Sequence, residues 1–282
     1  MKVLVTGAGG FIGRALVNRL LSTGHEVSAV MRQPGNPAAP AARVVLAKLG
    51  DPLPQECMDR VDMVVHLAHD MAPGSLRRNV EGTTRWFEQA ARAGTPHQVY
   101  ISSYSAHPSA PSEYGRAKYE LERYVLAEGG TVARPGLVLG RGGAFGAMAE
   151  MVRRFPILPV PGGDLHVYVT TLEDVLTVLT SIDQSMAGDT LNVFAAQSVA
   201  LGDLLRLTRG VVGGRGILIS LPAGIALPLL TVGAPAHSTL RRYKENLAAL
   251  KASQTYGYPS AYARLGLVAR PVETMVREAL ER

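Results

Sequence analysis

Cysteine is almost absent from this chain of 282 residues, because Cys57 is the only one. A single thiol excludes an internal disulfide and any metal site built from several cysteines. The histidines and carboxylates do not follow metal-ligand spacing either, so no metal site is predicted. The scarcity of cysteine also favours synthesis in a reducing compartment.

Long runs of basic residues are also lacking. The formal net charge is +6 at pH 7, but the cations are scattered, with short adjacent pairs such as Arg153-Arg154 and Arg241-Arg242. No basic stripe is interleaved with aromatic side chains, so nucleic-acid binding is not expected. Small phosphate-bearing ligands are a better use of this charge.

Uninterrupted apolar stretches are short. Residues 216–234 carry no charge, but Pro222 and Pro228 interrupt them, and their length is marginal for a bilayer. This stretch is interpreted as a strand at Ile217–Leu221 followed by a buried helix, and no membrane span is expected. The first predicted strand starts at residue 2, which leaves no room for a signal peptide before it. A cytoplasmic protein is therefore expected.

What the chain does have is the composition of an ordinary globular protein. Hydrophobic residues make up 47% and charged residues 18% of the sequence, which argues against disorder. A chain of this length can bury a large core, and one larger domain with a smaller additional region is the natural division.

The first thirteen residues, MKVLVTGAGGFIG, predict a strand, a glycine-rich turn and the start of a helix. Gly7 allows a tight turn, Gly10 leaves room for the backbone to approach a pyrophosphate, and Gly13 lets helix and strand pack closely. The amide groups at the helix N-terminus then face the phosphates. The order of these elements therefore predicts dinucleotide binding, which a lone glycine motif would not.

The end of the second predicted strand, Glu26–Met31, bears on which dinucleotide is bound. A carboxylate there would bind the ribose 2′-hydroxyl and repel a 2′-phosphate. The sequence has no acid at this point and places Arg32 just beyond the strand. Although Arg32 is also compatible with a solvated loop position, both features favour NADP over NAD.

A tyrosine and a lysine four residues apart form the candidate catalytic pair. The fifth predicted strand ends at Ser102-Ser103, and Tyr114 and Lys118 follow on one side of a predicted helix. A nearby ammonium would stabilise the phenolate and lower the tyrosine pKa from about 10 toward the working range. Tyr114 could then exchange a proton with a carbonyl or an alcohol, whose oxygen Ser103 could also bind.

These segments together resemble the extended and atypical short-chain dehydrogenases/reductases of the NAD(P)-dependent epimerase/dehydratase type. The motifs are T-G-x-x-G-x-x-G from Thr6, H-L-A from His66, N-V-x-G-T from Asn79, S-S and Y-x-x-x-K, and the resemblance spans about Lys2 to Val175. It implies Ser103 and Tyr114 as catalytic residues, with Lys118 also binding the nicotinamide ribose. Ser102 and Ser105 remain alternatives to Ser103.

The resemblance also implies a set of cofactor contacts along the chain. They are Gly7, Gly9, Gly10, Phe11, Ile12, Gly13, Arg32, Asp51, Leu67, Ala68, His69, Tyr114, Lys118, Pro135 and Leu137. Asp51 is equally compatible with a turn residue. His69 stands where the family usually has a small residue, and it either touches substrate or caps a loop.

The expected fold is α/β, a Rossmann-type doubly wound parallel sheet with a smaller, mostly helical C-terminal substrate region. The cofactor domain covers 1–140, with 166–194 returning to it, and the substrate region covers 141–282. Many relatives pair two subunits through the helices at 81–94 and 115–129, so the resemblance admits a homodimer, although monomers exist among atypical members.

The predicted function is that of an NAD(P)-dependent oxidoreductase or epimerase acting on a keto or hydroxy carbon of a sugar or sugar nucleotide. Nucleotide-sugar members usually carry an arginine where this chain has His166, and Arg153 and Arg154 are the candidates to replace it. Two alternatives remain. One is a non-catalytic NADP-binding regulatory or assembly protein, and the other is a reductase of a hydrophobic ketone, suggested by the apolar residues 217–230.

Overall fold

The computed structural model describes residues 1–34, 42–194, 197–233, 238–252 and 260–281. Most of the Pro- and Ala-rich loop predicted at 33–40 and the last residue of the uncharged stretch, Ala234, lie outside these residues. The strands are β1 Lys2–Thr6, β2 Glu26–Met31, β3 Arg43–Leu46, β4 Met63–His66, β5 His97–Ile101, β6 Thr131–Pro135, β7 Leu137–Leu139, β8 Ile157–Pro161, β9 His166–Thr171, β10 Thr190–Val193, β11 Ser198–Ala200 and β12 Ile217–Leu221. The helices are α1 Phe11–Ser22, α2 Gln55–Met58, α3 Leu76–Arg92, α4 Glu113–Ala127, α5 Gly143–Arg154, α6 Leu172–Ser181, α7 Leu201–Val211, α8 Ala223–Gly233, α9 Ser238–Ala252, α10 Ala261–Leu265 and α11 Val272–Glu281, and Gln184–Met186 form a 3-10 turn.

Seven strands form one parallel sheet in the order β10-β6-β5-β4-β1-β2-β3. The direction of strand addition reverses next to β1, so loops diverge there and leave a crevice at the carboxyl ends of the strands. The central strands are buried on both faces, which explains why their sequences are continuous aliphatic runs rather than alternating ones. The predicted doubly wound α/β fold is confirmed.

Helices cover both faces of this sheet. On one face α1 and α6 pack through Leu16, Leu20, Val175 and Leu179. On the other face α2 and α3 pack around Trp86, which is almost completely buried. Both packing surfaces are apolar, so helices support the crevice from both faces of the sheet.

The sixth strand differs from its prediction. The family resemblance implies a sixth strand and its end over residues 131–140, whereas the structure splits this segment into β6 in the main sheet and β7 in a separate three-stranded sheet. The break falls at Gly136, where a Cβ atom would lie 2.4 Å from the carbonyl oxygen of Tyr168. Because β9 crosses so closely, the chain leaves the main sheet immediately after Pro135.

The C-terminal part contains two small sheets, β11-β9-β7 and β12-β8, surrounded by helices. It is tied to the main sheet by Asp174 on α6, which accepts hydrogen bonds from the Tyr262 hydroxyl at 2.8 Å and from Arg270 at 2.7 Å. Of residues 166–194, α6 packs on the main core and β10 joins the main sheet, whereas β9 pairs with β7 and β11. The domain boundaries at 140 and 141 stay a prediction.

The uncharged stretch is less buried than the sequence suggests. Ile217–Leu221 is a strand as predicted, but Ile217 and Ile219 are exposed on its outer face, and Ile225 on α8 is 56% exposed. The interpretation of α8 as a buried helix was therefore wrong for this side of it. Among the described residues, every helix falls short of the length and apolar character that crossing a bilayer requires.

Candidate active site

A cleft of about 1120 Å³ opens at the carboxyl ends of β1, β2 and β4. It is larger than the pockets of about 300–1,000 Å³ that usually hold small ligands. Eight of the predicted cofactor residues line it, namely Gly7, Gly9, Gly10, Arg32, Asp51, Leu67, Ala68 and His69. The other predicted residues, Phe11, Ile12, Gly13, Tyr114, Lys118, Pro135 and Leu137, do not belong to its lining.

The turn between β1 and α1 is shaped as the glycine pattern predicts. Gly7 has φ +68°, and a Cβ there would lie 2.7 Å from the Ala68 nitrogen. A Cβ on Gly13 would lie 2.3 Å from the Gly7 carbonyl oxygen, so the helix can approach the turn only without a side chain. Gly10 is the N-cap residue of α1, and no side chain caps this helix. Its free amide groups therefore fit the pyrophosphate of a dinucleotide.

Phe11 and Ile12 have packing contacts that the sequence does not reveal. Gly140, Gly142 and Gly143 rest against the Phe11 ring, since a Cβ on Gly142 would lie 2.4 Å from it. Ile12 packs against the main core. The Phe11 ring therefore connects the glycine turn with the start of α5. Because the side chains of Phe11 and Ile12 are engaged in packing, their predicted cofactor contacts would be made by backbone atoms.

The end of the cleft beside β2 and β3 carries two exposed cations, Arg32 after β2 and Lys48 after β3. The sequence analysis missed Lys48, which the parallel pairing of β2 with β3 places beside Arg32. The Asp51 carboxylate accepts a hydrogen bond from the Lys48 amide at 3.1 Å. Asp51 is thus a turn residue that also lines the cleft, which combines its two interpretations.

Gly82 on α3, the glycine of the N-V-x-G-T motif, has a packing role that the motif alone does not reveal. A Cβ there would lie 2.8 Å from Leu49 and 3.1 Å from the Gly50 nitrogen, so α3 touches the loop after β3. Asn79 does not start this helix, which begins at Leu76. It bridges to the β4 end instead, because its side chain accepts from the Asp70 amide at 2.7 Å and donates to the Asp70 carbonyl at 2.9 Å.

Tyr114 and Lys118 lie on the first turns of α4. Ser112 caps this helix by accepting a hydrogen bond from Gly115 at 3.1 Å, and a Cβ on Gly115 would lie 2.6 Å from the Ser105 carbonyl oxygen. The Lys118 ammonium lies 4.7 Å from the Tyr100 ring centre and 5.7 Å from that of Tyr114, and it donates to the Ile101 carbonyl at 2.6 Å. The carboxyl end of β5 thus holds the amine beside the phenol.

The pKa of Tyr114 differs from its expected direction. Tyr114 is partly exposed, but the protein surrounds its hydroxyl, and this burial raises the pKa above its usual value. The hydrogen bond with the Ser103 hydroxyl lowers the pKa and offsets part of that shift. The sequence analysis predicted a lowering by Lys118, but that amine is itself buried and is directed at Ile101. Tyr114 therefore starts as a neutral phenol that can donate a proton.

Ser103 is the serine that interacts with Tyr114, which supports it over Ser102 and Ser105. It is buried, and its hydroxyl accepts a hydrogen bond from the Ser105 amide at 3.2 Å. Ser102 is buried in β5's continuation, where its amide donates to the Ala133 carbonyl. Pro135 lies behind this edge with its carbonyl accepting from Tyr104 at 3.1 Å, and Leu137 is half-buried on β7.

His69 connects the cleft with Tyr114. It lines the cleft, and its ring meets the Tyr114 ring edge-on with centres 4.9 Å apart. Burial, followed by the charge of Lys118, lowers the His69 pKa to about 3, so the imidazole is neutral at pH 7. The Asn79 amide lies 3.3 Å from its Nε2, and a donating amide there places the ring proton on Nδ1. His69 is therefore a neutral wall of the site.

Burial also lowers the pKa of Lys118, from 10.5 to about 7, while Glu122 opposes that shift. The unfolded chain then binds more protons than the folded one between about pH 7 and 10.5, so Lys118 lowers stability at pH 7 and this cost disappears as the pH rises.

We expect Lys118→Met to be more stable than the unsubstituted chain at pH 7, with a difference that shrinks by up to about 1.4 kcal/mol per pH unit toward pH 10. Urea unfolding across this pH range measures the difference. Lys251→Met, at an exposed lysine, is the control. A difference that stays constant with pH would contradict the prediction.

A model of the NAD dependent epimerase/dehydratase family matches residues 3–156, more than half of the chain. The chain belongs to this family. It is accordingly an NAD(P)-dependent enzyme of the short-chain dehydrogenase/reductase type, as the resemblance implied. Among the described residues, no group of three or more histidine, cysteine, aspartate or glutamate side chains could hold a metal ion.

Three similar proteins illustrate the range of the family. The Homo sapiens "Epimerase family protein SDR39U1" is 28% identical over 260 residues, which are 80% of this chain and 85% of that protein. The "Ceramide reductase" of Caulobacter vibrioides is 28% identical over 238 residues, covering 78% of this chain and 73% of that one. The structure of MoeE5 in complex with UDP-glucuronic acid and NAD has a TM-score of 0.75 and 22% identity over 99% of this chain and 97% of that chain, and it shows the shared fold.

Proposed function

We propose that this enzyme interconverts a ketone and an alcohol with NADP, and that Tyr114 transfers the proton on the reacting oxygen. One observation carries the proposal: Tyr114 has Ser103 as a hydrogen-bonding partner and meets the ring of His69, which lines the same cleft as the glycine turn. When bound, the nicotinamide supplies or accepts a hydride. The phenol donates its proton to a ketone oxygen, or receives one from an alcohol, while the Ser103 hydroxyl binds the same oxygen.

Lys118 supports this proton transfer from behind. Its pKa of about 7 lets it hold or release a proton near neutral pH, whereas an ordinary lysine stays charged. The Ile101 carbonyl holds this amine behind the phenol, 5.7 Å from the centre of the Tyr114 ring. His69, which is neutral, excludes water from one side of the phenol without competing as an acid.

The proposed preference for NADP rests on Arg32 and Lys48. Both cations line the adenosine end of the cleft, where a 2′-phosphate would sit, and no carboxylate ends β2. Arginine and lysine bind phosphate by charge-assisted hydrogen bonds, each stronger than a neutral one.

We expect Arg32→Asp to weaken NADPH binding by about ten- to a hundredfold, the usual worth of a hydrogen bond to a charged group, and to leave NADH binding equal or tighter. Fluorescence titration of both cofactors measures this. Arg60→Asp makes the same charge change at an exposed arginine away from the cleft lining. An equal loss for both cofactors, or tighter NADH binding by the unsubstituted enzyme, would refute the preference.

Two substrate classes follow from different observations. A sugar nucleotide is supported by the shared fold of MoeE5, whose structure contains UDP-glucuronic acid. Neither arginine considered for its diphosphate, Arg153 or Arg154, lines the cleft, and Arg153 is paired with Glu150. His166, which stands where nucleotide-sugar members usually have an arginine, forms a hydrogen bond between its Nδ1 and the Ser198 hydroxyl at 3.0 Å.

The second class is a hydrophobic ketone. The similar ceramide reductase is named for a lipid, and the C-terminal part of this chain exposes several large aliphatic side chains. Screening NADPH consumption with sugar nucleotides, keto sugars, steroids and long-chain ketones separates the classes. Cofactor binding without turnover on every member would instead support the non-catalytic alternative.

A homodimer and a cytoplasmic location stay predictions. The helices of the predicted interface, α3 and α4, pack on each other within one chain. None of the described large hydrophobic side chains that are exposed belongs to these helices. Light scattering of the purified enzyme measures the oligomeric state.

A further inference from the structure

An exposed apolar strip lies on the small parallel sheet of β8 and β12, apart from the cleft. The register pairs Ile157 with Ile217 and Pro159 with Ile219, and these four residues face outward. Ile157 is 62%, Ile217 64% and Ile219 46% exposed. Because alternate residues of paired strands share one face, the four side chains form a continuous surface, which we call the apolar strip.

Further exposed apolar side chains flank the two strands of the strip in sequence. Phe155 and Met151 precede β8 and are 46% and 42% exposed, and Ile225 follows β12. Of the eleven large hydrophobic side chains that are exposed in the described residues, six therefore lie on β8 and β12 or next to these strands along the chain. Single exposed apolar residues need no explanation, but a concentration of them marks an interaction surface.

The fold does not need this outer face for its own core. The opposite face of the same sheet supplies Leu158, Val160 and Leu218, which pack with α7 through Leu201 and Leu205. One side of β8 and β12 is thus satisfied within the chain. The aliphatic residues on the other side cost solubility and gain nothing from folding, which favours an external partner.

Two arginines lie at one end of the strip. Arg154 precedes β8 and Arg215 precedes β12, and both are exposed. The strands are parallel, and the Ile217 amide donates to the Pro156 carbonyl at 2.8 Å, so both strands begin at the same edge. The nearest acid along the chain, Glu150, is paired with Arg153. The strip therefore has a cationic end.

We propose that the apolar strip docks this enzyme on an anionic phospholipid surface. Aliphatic side chains enter the boundary between headgroups and acyl chains, while cations at the edge of such a surface bind anionic headgroups. A second copy of the chain fits less well, because it would add two more exposed arginines and no unengaged acid from these strands. The proposal is independent of the proposed substrate and reaction.

The test is sedimentation of the full chain with lipid vesicles. We expect binding to vesicles of equal parts phosphatidylcholine and phosphatidylglycerol, and much weaker binding to phosphatidylcholine alone. Arg154→Gln with Arg215→Gln should reduce binding to the anionic vesicles by about fivefold for each arginine, the usual worth of a cation near such a surface.

A second variant removes the apolar contribution. Ile157→Thr, Ile217→Thr and Ile219→Thr together keep β-branched residues on the strands, so the sheet is preserved. This triple variant should lose at least about tenfold in binding to the anionic vesicles. Val268→Thr, at a 78% exposed valine elsewhere, is the matched control and should bind as the unsubstituted chain does. Unchanged NADPH affinity shows that each variant is folded.

Three results would overturn the proposal. The unsubstituted chain could fail to sediment with anionic vesicles, the arginine and isoleucine variants could bind as well as it does, or the strip could prove to be covered by a second copy. In that last case light scattering would show a dimer that the triple isoleucine variant dissolves.

Discussion

Tyr114→Phe lowers turnover by about a hundred- to ten-thousandfold, the range that a positioned acid or base contributes, and leaves NADPH affinity within about threefold. The substitution removes one oxygen, which is the proposed proton donor. The ring that contacts His69 and lies near Lys118 remains, so the shape of the site is kept. Steady-state kinetics and a cofactor titration on the same preparation measure both effects.

The matched control is Tyr119→Phe, which removes a hydroxyl from the same helix five residues further on, outside the predicted site. It should turn over at the rate of the unsubstituted enzyme. If Tyr114→Phe retains more than a tenth of the activity, the proton comes from another group. Equal loss of turnover in both variants would mean that α4 is sensitive to any change.

Glu122→Gln lowers the unfolding free energy by about 3–5 kcal/mol, because it leaves the Arg134 guanidinium charged in the core. Glu122 and Arg134 have side chains only 3% and 1% exposed, and the Arg134 Nε donates to Glu122 at 2.7 Å, with a second, shorter bond beside it. For a chain of this size the change corresponds to roughly 10 °C or more in Tm. Thermal and urea unfolding measure it.

Glu120→Gln, at an exposed position of the same helix, should change stability by less than about 0.5 kcal/mol. The double variant Glu122→Leu with Arg134→Met should recover much of the loss, because it removes both buried charges. Equal unfolding free energies for Glu122→Gln and Glu120→Gln would show that the Glu122–Arg134 pair contributes nothing to stability. The pair also bears on the site, since the Glu122 carboxylate raises the pKa of Lys118.

The amino-terminal half of the fold follows closely from the sequence. Strands buried on both faces leave continuous aliphatic runs such as Val3–Val5, and glycines with positive φ or close contacts leave a fixed spacing, so Gly7 and Gly13 could be assigned in advance. Tyr114 and Lys118 share a helix face because helical geometry alone requires it.

What the sequence does not reveal depends on contacts between distant segments. The split at Gly136 is caused by β9, thirty residues later, and the contact of Phe11 with Gly142 joins the start of α1 to the start of α5. The direction of the Tyr114 pKa shift was wrong for the same reason, since burial outweighs a lysine that is held by Ile101. The exposed face of β12 could not be distinguished from a buried one, because aliphatic residues are common in both.

A crystal structure of the complex with NADP tests most directly whether Tyr114 and Lys118 face the nicotinamide. In that complex the glycine turn should hold the other half of the dinucleotide. We expect the pyrophosphate against the amides of Gly10 and Phe11, the 2′-phosphate against Arg32, and the nicotinamide ribose within hydrogen-bonding distance of Lys118 and Tyr114. A nicotinamide lying away from Tyr114, or a cofactor bound outside the cleft, would contradict it.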